Sequence, residues 1–347
     1  MRLLVSALEH SANIHLKSLK DELGDSVELI GVFDKSLGDS IVDLQSLAIM
    51  GFVDAIKKLR YFFKLADEMV ELAASADKVL LIDSSGFNLP LAKKIRKRYP
   101  QKEIIYYILP QAWAWKKSRI AVLQKTITHL CSILPFEKNY YPKTAPIEYV
   151  GHPLLDQIKE FKVAINPKVK KVVFMAGSRK GEIVKLMGVF HKLQDELKLD
   201  ATIVIPKHFT KAEIKELYGN IANFKISHDA HTSLLEADFA FICSGTATLE
   251  ASLIGTPFVL VYVAKGFDYF IAKSLVKLEY IGLANIMFND FKQRAMHLEF
   301  IQDDVEAKNL LKAFDEVDRS RFLEDSKLLR GYLRDGSSTR VAQIIKG

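Results

Sequence analysis

The sequence predicts an α/β protein of two Rossmann-like domains, each built on a parallel sheet. Short apolar runs ending in small or turn residues alternate with longer segments of helical period, which is the pattern of βαβ units. That rhythm breaks near the middle, at Val150-Gly151-His152-Pro153 and Asn166-Pro167, and then restarts. A length of 347 residues with 49% hydrophobic residues suits two cores rather than one.

In chain order, the first half offers strands at Leu3–Ala7, Val27–Val32, Lys78–Ile82, Ile104–Leu109 and Leu130–Leu134. The second half offers Lys171–Ala176, Thr202–Ile205, Phe224–Ile226, Phe239–Cys243 and Phe258–Tyr262. No sequence repeat accompanies this repeated architecture. The stretch from Arg319 to Ile345 is charged and helical in period, with Phe322, Leu323, Leu328, Leu329, Tyr332 and Leu333 as its apolar set. The expected organisation is a first domain over 1–160, a second over 161–320, and a helical tail over 321–347 that crosses back to the first.

Composition narrows the function classes. A net charge of +7 is compatible with phosphorylated substrates or with the anionic face of a bilayer. The basic residues are scattered and no nucleic-acid-binding motif accompanies them, which argues against a nucleic-acid partner. No run approaches the ~18 apolar residues of a membrane span, and the N-terminus reads as a first strand rather than a signal peptide. Cys131 and Cys243 stand in separate apolar segments without a CxxC pair or a His/Cys cluster, so neither a disulfide nor a zinc site is expected, and a reducing, cytoplasmic setting fits. Nothing in the sequence separates a monomer from a homodimer.

The strongest chemical signal is Phe241-Ile242-Cys243-Ser244-Gly245-Thr246-Ala247-Thr248-Leu249-Glu250, a hydrophobic strand opening through small residues into a helix. Backbone N–H groups at a helix N-terminus suit a diphosphate, with Gly245 allowing close approach and Ser244 or Thr246 adding hydroxyls. Glu250, about one turn into the helix, is placed to accept from ribose hydroxyls; a solvent-facing glutamate after an ordinary turn is the plain alternative. Phe174-Met175-Ala176-Gly177-Ser178-Arg179 is a second strand-to-Gly turn, now carrying a guanidinium that can pair bidentately with phosphate or simply cap a surface loop.

Asp83 ends the buried run Leu80-Leu81-Ile82, at the edge where ligands of open α/β sheets sit. It can take a proton from an attacking hydroxyl, or cap the next helix. Glu9 holds the same kind of position after the first strand, and His10 beside it is either a candidate base or a solvated loop residue. The segment from Tyr106 to Arg119 gathers both tryptophans, Trp113 and Trp115, with Lys116, Lys117 and Arg119, which suits packing or an acceptor with an apolar body and a phosphate. Two basic-aromatic segments, 50–64 and 265–277, have the composition of interfacial anchors or of core helices.

Taken together, these segments resemble the lipid-A-disaccharide synthase family, inverting glycosyltransferases of GT-B fold, in which two Rossmann-like domains face a central cleft. The residues that carry the resemblance are Met50-Gly51, Ile82-Asp83 with Phe87-Asn88, Gln111-Ala112-Trp113-Ala114-Trp115, Leu134-Pro135-Phe136-Glu137, Gly151-His152-Pro153-Leu154, Gly177-Ser178-Arg179, Ser244-Gly245-Thr246-Ala247 with Leu249-Glu250, and Leu283-Ala284-Asn285-Ile286. They run in the family's order through most of the chain.

The resemblance implies transfer of 2,3-diacylglucosamine from UDP to the 6-hydroxyl of 2,3-diacylglucosamine 1-phosphate, giving a β-1,6 disaccharide and UDP. It implies no metal and no cofactor, and peripheral contact with the anionic inner leaflet. Carried over by position, Gly177, Ser178, Arg179, Ser244, Gly245, Thr246, Glu250 and Asn285 hold the UDP, while Glu9 and Asp83 lie near the transferred sugar. The family's usual Asp-x-Pro-Asp-Phe-Asn is here Asp83-Ser84-Ser85-Gly86-Phe87-Asn88, so its second carboxylate is missing. Asp83 is then the expected base, with Glu9 and, after it, Asp77 as alternatives. Other UDP-sugar enzymes of the same fold, such as a 2-epimerase or the peptidoglycan N-acetylglucosaminyltransferase, are rival readings, as is a non-catalytic UDP-sugar or lipid-binding protein.

Overall fold

The computed structural model of the protein describes residues 1–42, 55–114, 117–263 and 279–347, without the side chains of 55–59. The chain forms two compact units, Met1–Gln157 with Leu333–Gly347, and Ile158–Tyr332.

The first unit is built on seven parallel strands: β1 (Arg2–Ser6), β2 (Glu28–Val32), β3 (Asp39–Ser40), β4 (Lys78–Ile82), β5 (Glu103–Tyr107), β6 (His129–Ser132) and β7 (Ile147–Tyr149). Their spatial order is β3-β2-β1-β4-β5-β6-β7. Helices α1 (His10–Leu23), α2 (Ala55–Leu72), α3 (Ser85–Arg98), α4 (Ser118–Thr126) and α5 (Pro153–Gln157) make the connections. Strand residues alternate between two cores, as a period of two demands. Leu4, Val79, Leu81, Ile104 and Tyr106 join one cluster, whereas Leu3, Val5, Leu80, Ile82, Ile105 and Tyr107 join the other. Burial on both faces is why these strands read as continuous apolar runs.

The second unit repeats the plan with six parallel strands: β8 (Lys171–Met175), β9 (Asp200–Val204), β10 (Lys225–Ser227), β11 (Phe239–Cys243), β12 (Phe258–Tyr262) and β13 (Leu298–Ile301). The order is β10-β9-β8-β11-β12-β13. Its helices are α6 (Lys180–Leu197), α7 (Lys211–Tyr218), α8 (Ala230–Glu236), α9 (Thr246–Ile254), α10 (Leu283–Lys292), α11 (Ala307–Glu316) and α12 (Arg319–Leu333). Phe174 and Phe241 stack in its core, with Phe190, Phe224 and Phe239 packed against them tilted or edge-on. The short strands β3, β7 and β13 are additions to the strands expected from sequence.

The helical stretch expected from Arg319 to Ile345 is broken into α12 and α13 (Ser337–Lys346), because Arg334 and Gly336 turn left-handed at φ 49° and 75°. Up to Tyr332, α12 belongs to the second unit: Phe322 packs edge-on to Phe258 at 5.6 Å, and Arg330 Nη1 donates to the Leu253 carbonyl at 2.6 Å. The unit boundaries therefore fall at 157/158 and 332/333, rather than at 160/161 and 320/321. Leu328, expected in the apolar set, is exposed.

Helix α13 packs on α1, with Val341, Ala342 and Ile345 buried in the same cluster as Leu16, Leu19 and Leu23. Asp156 on α5 accepts from the N–H groups of Gly336 (2.7 Å) and Ser338 (2.9 Å), which pins the start of α13. Among the described residues no helix is long and apolar enough to cross a membrane, and no three His, Cys, Asp or Glu side chains gather that could hold a metal ion.

Candidate functional site

In each sheet the strand order reverses between one pair of neighbours, β1 and β4 in the first unit and β8 and β11 in the second. The carboxyl ends of such a pair are where open α/β sheets bind ligands, because the connections leave toward opposite faces and part there. Register sets Ser6 beside Leu81, and Met175 beside Ile242. Glu9 and Asp83 thus share the first reversal, and Gly177–Arg179 share the second with Ser244–Thr246.

At the first reversal the backbone is strained. Asp83 and Ser84 are consecutive non-glycine residues in the left-handed region, at φ 50° and 41°, a conformation that costs on the order of 1–2 kcal/mol per residue. Several bonds hold it. The Asn88 amide, fully buried, donates to the carbonyls of Ile82 (3.1 Å) and Asp83 (2.9 Å) and accepts from Ser6 Oγ (2.6 Å). Tyr106 OH also donates to the Asp83 carbonyl. Asn13 does the same for the β1 turn, donating to the carbonyls of Ala7 and Glu9 at 2.8 Å each. Over-determined strain of this kind marks a turn built to present its side chain.

Asp83 senses the charge of Glu9. Burial, then the charge of Glu9, push the Asp83 carboxyl above its ordinary value against a hydrogen bond from the Ser84 N–H. Ser84 Oγ donates to Glu9 Oε1 at 3.2 Å, closing the loops of β1 and β4 into one group. Arg119 reaches the same turn, donating to Ser85 Oγ at 3.0 Å. Asp77 sits at the opposite end of β4, where it accepts from the Arg2 N–H at 2.7 Å; six residues of strand place it about 20 Å from Asp83, which removes it as a base. His10 is exposed at the start of α1.

At the second reversal Gly177 has φ 92°, and a Cβ built on it would stand 2.7 Å from Glu182 Oε2 and 3.1 Å from Cys243 Sγ. The two turns therefore touch through a glycine. Ser178 and Arg179 follow on the surface, Arg179 as N-cap residue of α6 with no side-chain cap of its own. Its guanidinium Nη1 meets Glu182 Oε1 at 2.8 Å, a largely exposed cation held by a largely buried carboxylate. Gly245 is N-cap of α9, again without a side-chain cap, and both Gly245 and Thr246 are exposed. A Cβ on Gly245 would meet nothing within 4 Å, so internal packing does not demand that glycine, and open space lies in front of the helix N-terminus.

Glu250, one turn into α9, pairs through Oε1 with His231 Nδ1 at 3.2 Å. Asn285 stands apart from this group. It is fully buried on α10; its Nδ2 donates to the His297 carbonyl (2.9 Å) and Glu299 Oε1 (2.8 Å), and its Oδ1 accepts from the N–H groups of Met296 and His297. Glu299 in turn accepts from the N–H groups of Ile281 and Gly282. The amide expected on UDP is spent on holding the turn before α10 against the lead into β13.

Trp113 is buried, edge-to-face with Phe136 at 4.9 Å, so packing explains it. Trp115, Lys116, Met50-Gly51 and the segment 265–277 lie outside the described residues, as does the first part of 50–64. The residues that sequence reasoning passed over are Ser84, Glu182 and His231, each a partner of a residue it did name.

Gly177→Ala is expected to lower stability by about 1–3 kcal/mol, from a left-handed φ and the clash with Glu182. Thermal unfolding measures it; an unshifted midpoint would show the close approach to be unimportant.

Comparison with known proteins identifies the family and the fold class. The family model described as lipid-A-disaccharide synthetase matches residues 3–332. The lipid-A-disaccharide synthase of Helicobacter pylori strain J99 is 49% identical, over 98% of this chain and 97% of its own. That of Campylobacter jejuni is 42% identical, over 99% and 98%. Among solved structures, Acinetobacter baumannii MurG aligns with a TM-score of 0.60 at 15% identity, covering 99% of each chain. The Neisseria meningitidis UDP-GlcNAc 2-epimerase aligns with a TM-score of 0.62 at 12% identity, covering 100% of each. Such distant neighbours speak for the fold alone, the GT-B class. At the level of sequence the match is nearly end to end, and the chain belongs to the lipid-A-disaccharide synthase family of glycosyltransferases.

Proposed function

We propose that the protein transfers 2,3-diacylglucosamine from its UDP-linked form to the 6-hydroxyl of 2,3-diacylglucosamine 1-phosphate, producing a β-1,6 disaccharide and UDP for lipid A and lipopolysaccharide synthesis. The observation that carries this reading is the division of labour between the two sheet reversals: a strained turn bearing a carboxylate at one, and two anion-suited turns at the other.

Inversion needs a single displacement, with a base for the attacking hydroxyl and positive charge or N–H dipoles for the leaving diphosphate. In this reading Asp83 accepts the proton of the acceptor 6-hydroxyl, and its raised pKa makes it a better proton acceptor than an ordinary surface aspartate. Glu9 tunes it. Arg179 passes from Glu182 to the phosphates, and the N-terminus of α9, with the hydroxyls of Ser244 and Thr246, takes the remaining charge. Gly177 and Ser178 shape that turn, Glu250 accepts from the ribose, and Asn285 supports the turn before α10.

No metal takes part in this reading, so EDTA is expected to leave the rate unchanged; loss of rate restored by a divalent cation would contradict it. Both substrates carry acyl chains, and the protein meets them peripherally at the anionic cytoplasmic face of the inner membrane, helped by its net charge of +7. The test of the reaction itself is the product: NMR of the disaccharide should show a β-anomeric 1,6 linkage. An α-linkage would rule out single displacement.

A further inference from the structure

His231 was not singled out by the sequence, yet it is the one side chain bonded to Glu250 among the described residues. It stands on a fixed segment at the carboxyl end of β10. Asp229 caps α8 through the Thr232 N–H (3.1 Å) and Oγ1 (2.8 Å), and His228 Nδ1 meets the Ile205 carbonyl at 2.7 Å. An ionised carboxylate only accepts, so the His231 nitrogen that faces it carries the hydrogen. Glu250 Oε2 has no hydrogen bond among the described residues. Burial disfavours the charged form of Glu250, and the bond from His231 opposes that.

We propose that His231 is a positioning residue for donor binding: its Nδ1–H pins one oxygen of Glu250 so that the other faces the vicinal hydroxyls of the nucleotide's ribose. This rests on the reading of Glu250 as the ribose acceptor. A carboxylate oriented before the ligand arrives does not have to be ordered on binding. It also favours a ribonucleotide, because a site built to bond a hydroxyl discriminates against an analogue that lacks it.

The test is calorimetric titration of the full-length protein with UDP and with 2′,3′-dideoxy-UDP. His231→Ala should weaken UDP about tenfold, the scale of one hydrogen bond to a charged group, and leave dideoxy-UDP unaffected. His231→Asn, whose amide can donate in place of Nδ1–H, should bind UDP within roughly threefold of wild type. In a Glu250→Ala background, His231→Ala should add nothing. Unchanged UDP binding by His231→Ala beside a weakened Glu250→Ala overturns the proposal and keeps the ribose reading. Equal weakening of both nucleotides by His231→Ala, or no rescue by His231→Asn, also overturns it. Wild-type binding of UDP by Glu250→Ala ends the ribose reading and the proposal with it.

Discussion

Asp83→Asn is expected to lower turnover by about two to four orders of magnitude, the usual weight of a positioned general base, while UDP binds as before. The asparagine preserves shape and the bonds that hold the strained turn, since Asn88 and Tyr106 grip the Asp83 carbonyl rather than its side chain. What it removes is the acceptor for a proton. The accompanying pH profile is signed. Asp83 works deprotonated, and burial together with Glu9 raises its pKa, so the acid limb of the rate should lie above the ordinary carboxylate range. Glu9→Gln deletes the like charge and should move that limb to lower pH with activity retained. If Glu9→Gln abolished turnover and Asp83→Asn did not, the two roles would be exchanged.

The largest stability effect is expected from α13. Ile345 and Val341 are fully buried against α1, and Ile345→Ala should cost about 2–5 kcal/mol, the range for emptying an isoleucine site in a core. Against a domain stability of roughly 5–15 kcal/mol, that is a substantial share, and it lowers the unfolding midpoint by on the order of 10 °C. Deleting Ser337–Gly347 should go further, because it removes the whole apolar face of α13 and also takes the Ser338 N–H away from Asp156. Differential scanning calorimetry measures both. A midpoint within a degree or two of wild type for Ile345→Ala would mean that α13 is a loosely attached tail.

The sequence announced both sheets because strands buried on two faces must be apolar throughout and must end where a turn begins. The same rule placed Asp83, Glu9, Gly177 and Ser244 at the carboxyl edges without any structure. Strands β3, β7 and β13 escaped because they are short edge strands, with Ser40, Glu148 and Glu299 in place of apolar residues. Bonds between segments distant in sequence escaped for a different reason. Ser84 to Glu9 and His231 to Glu250 are contacts of tertiary structure, with no local pattern to announce them. Asn285 shows the converse: a position carried over by resemblance alone was assigned to the ligand, and only burial and geometry reveal an amide committed to the backbone of Met296 and His297. The break at Gly336 was legible in principle, since glycine just beyond a helical stretch marks an end.

The most direct test of the account is the release of UDP by purified protein given UDP-2,3-diacylglucosamine in mixed micelles, with and without 2,3-diacylglucosamine 1-phosphate. Acceptor-dependent release, one UDP for each disaccharide formed, is the predicted result. UDP binding without release in the presence of acceptor would contradict a transferase and leave a binding protein in its place.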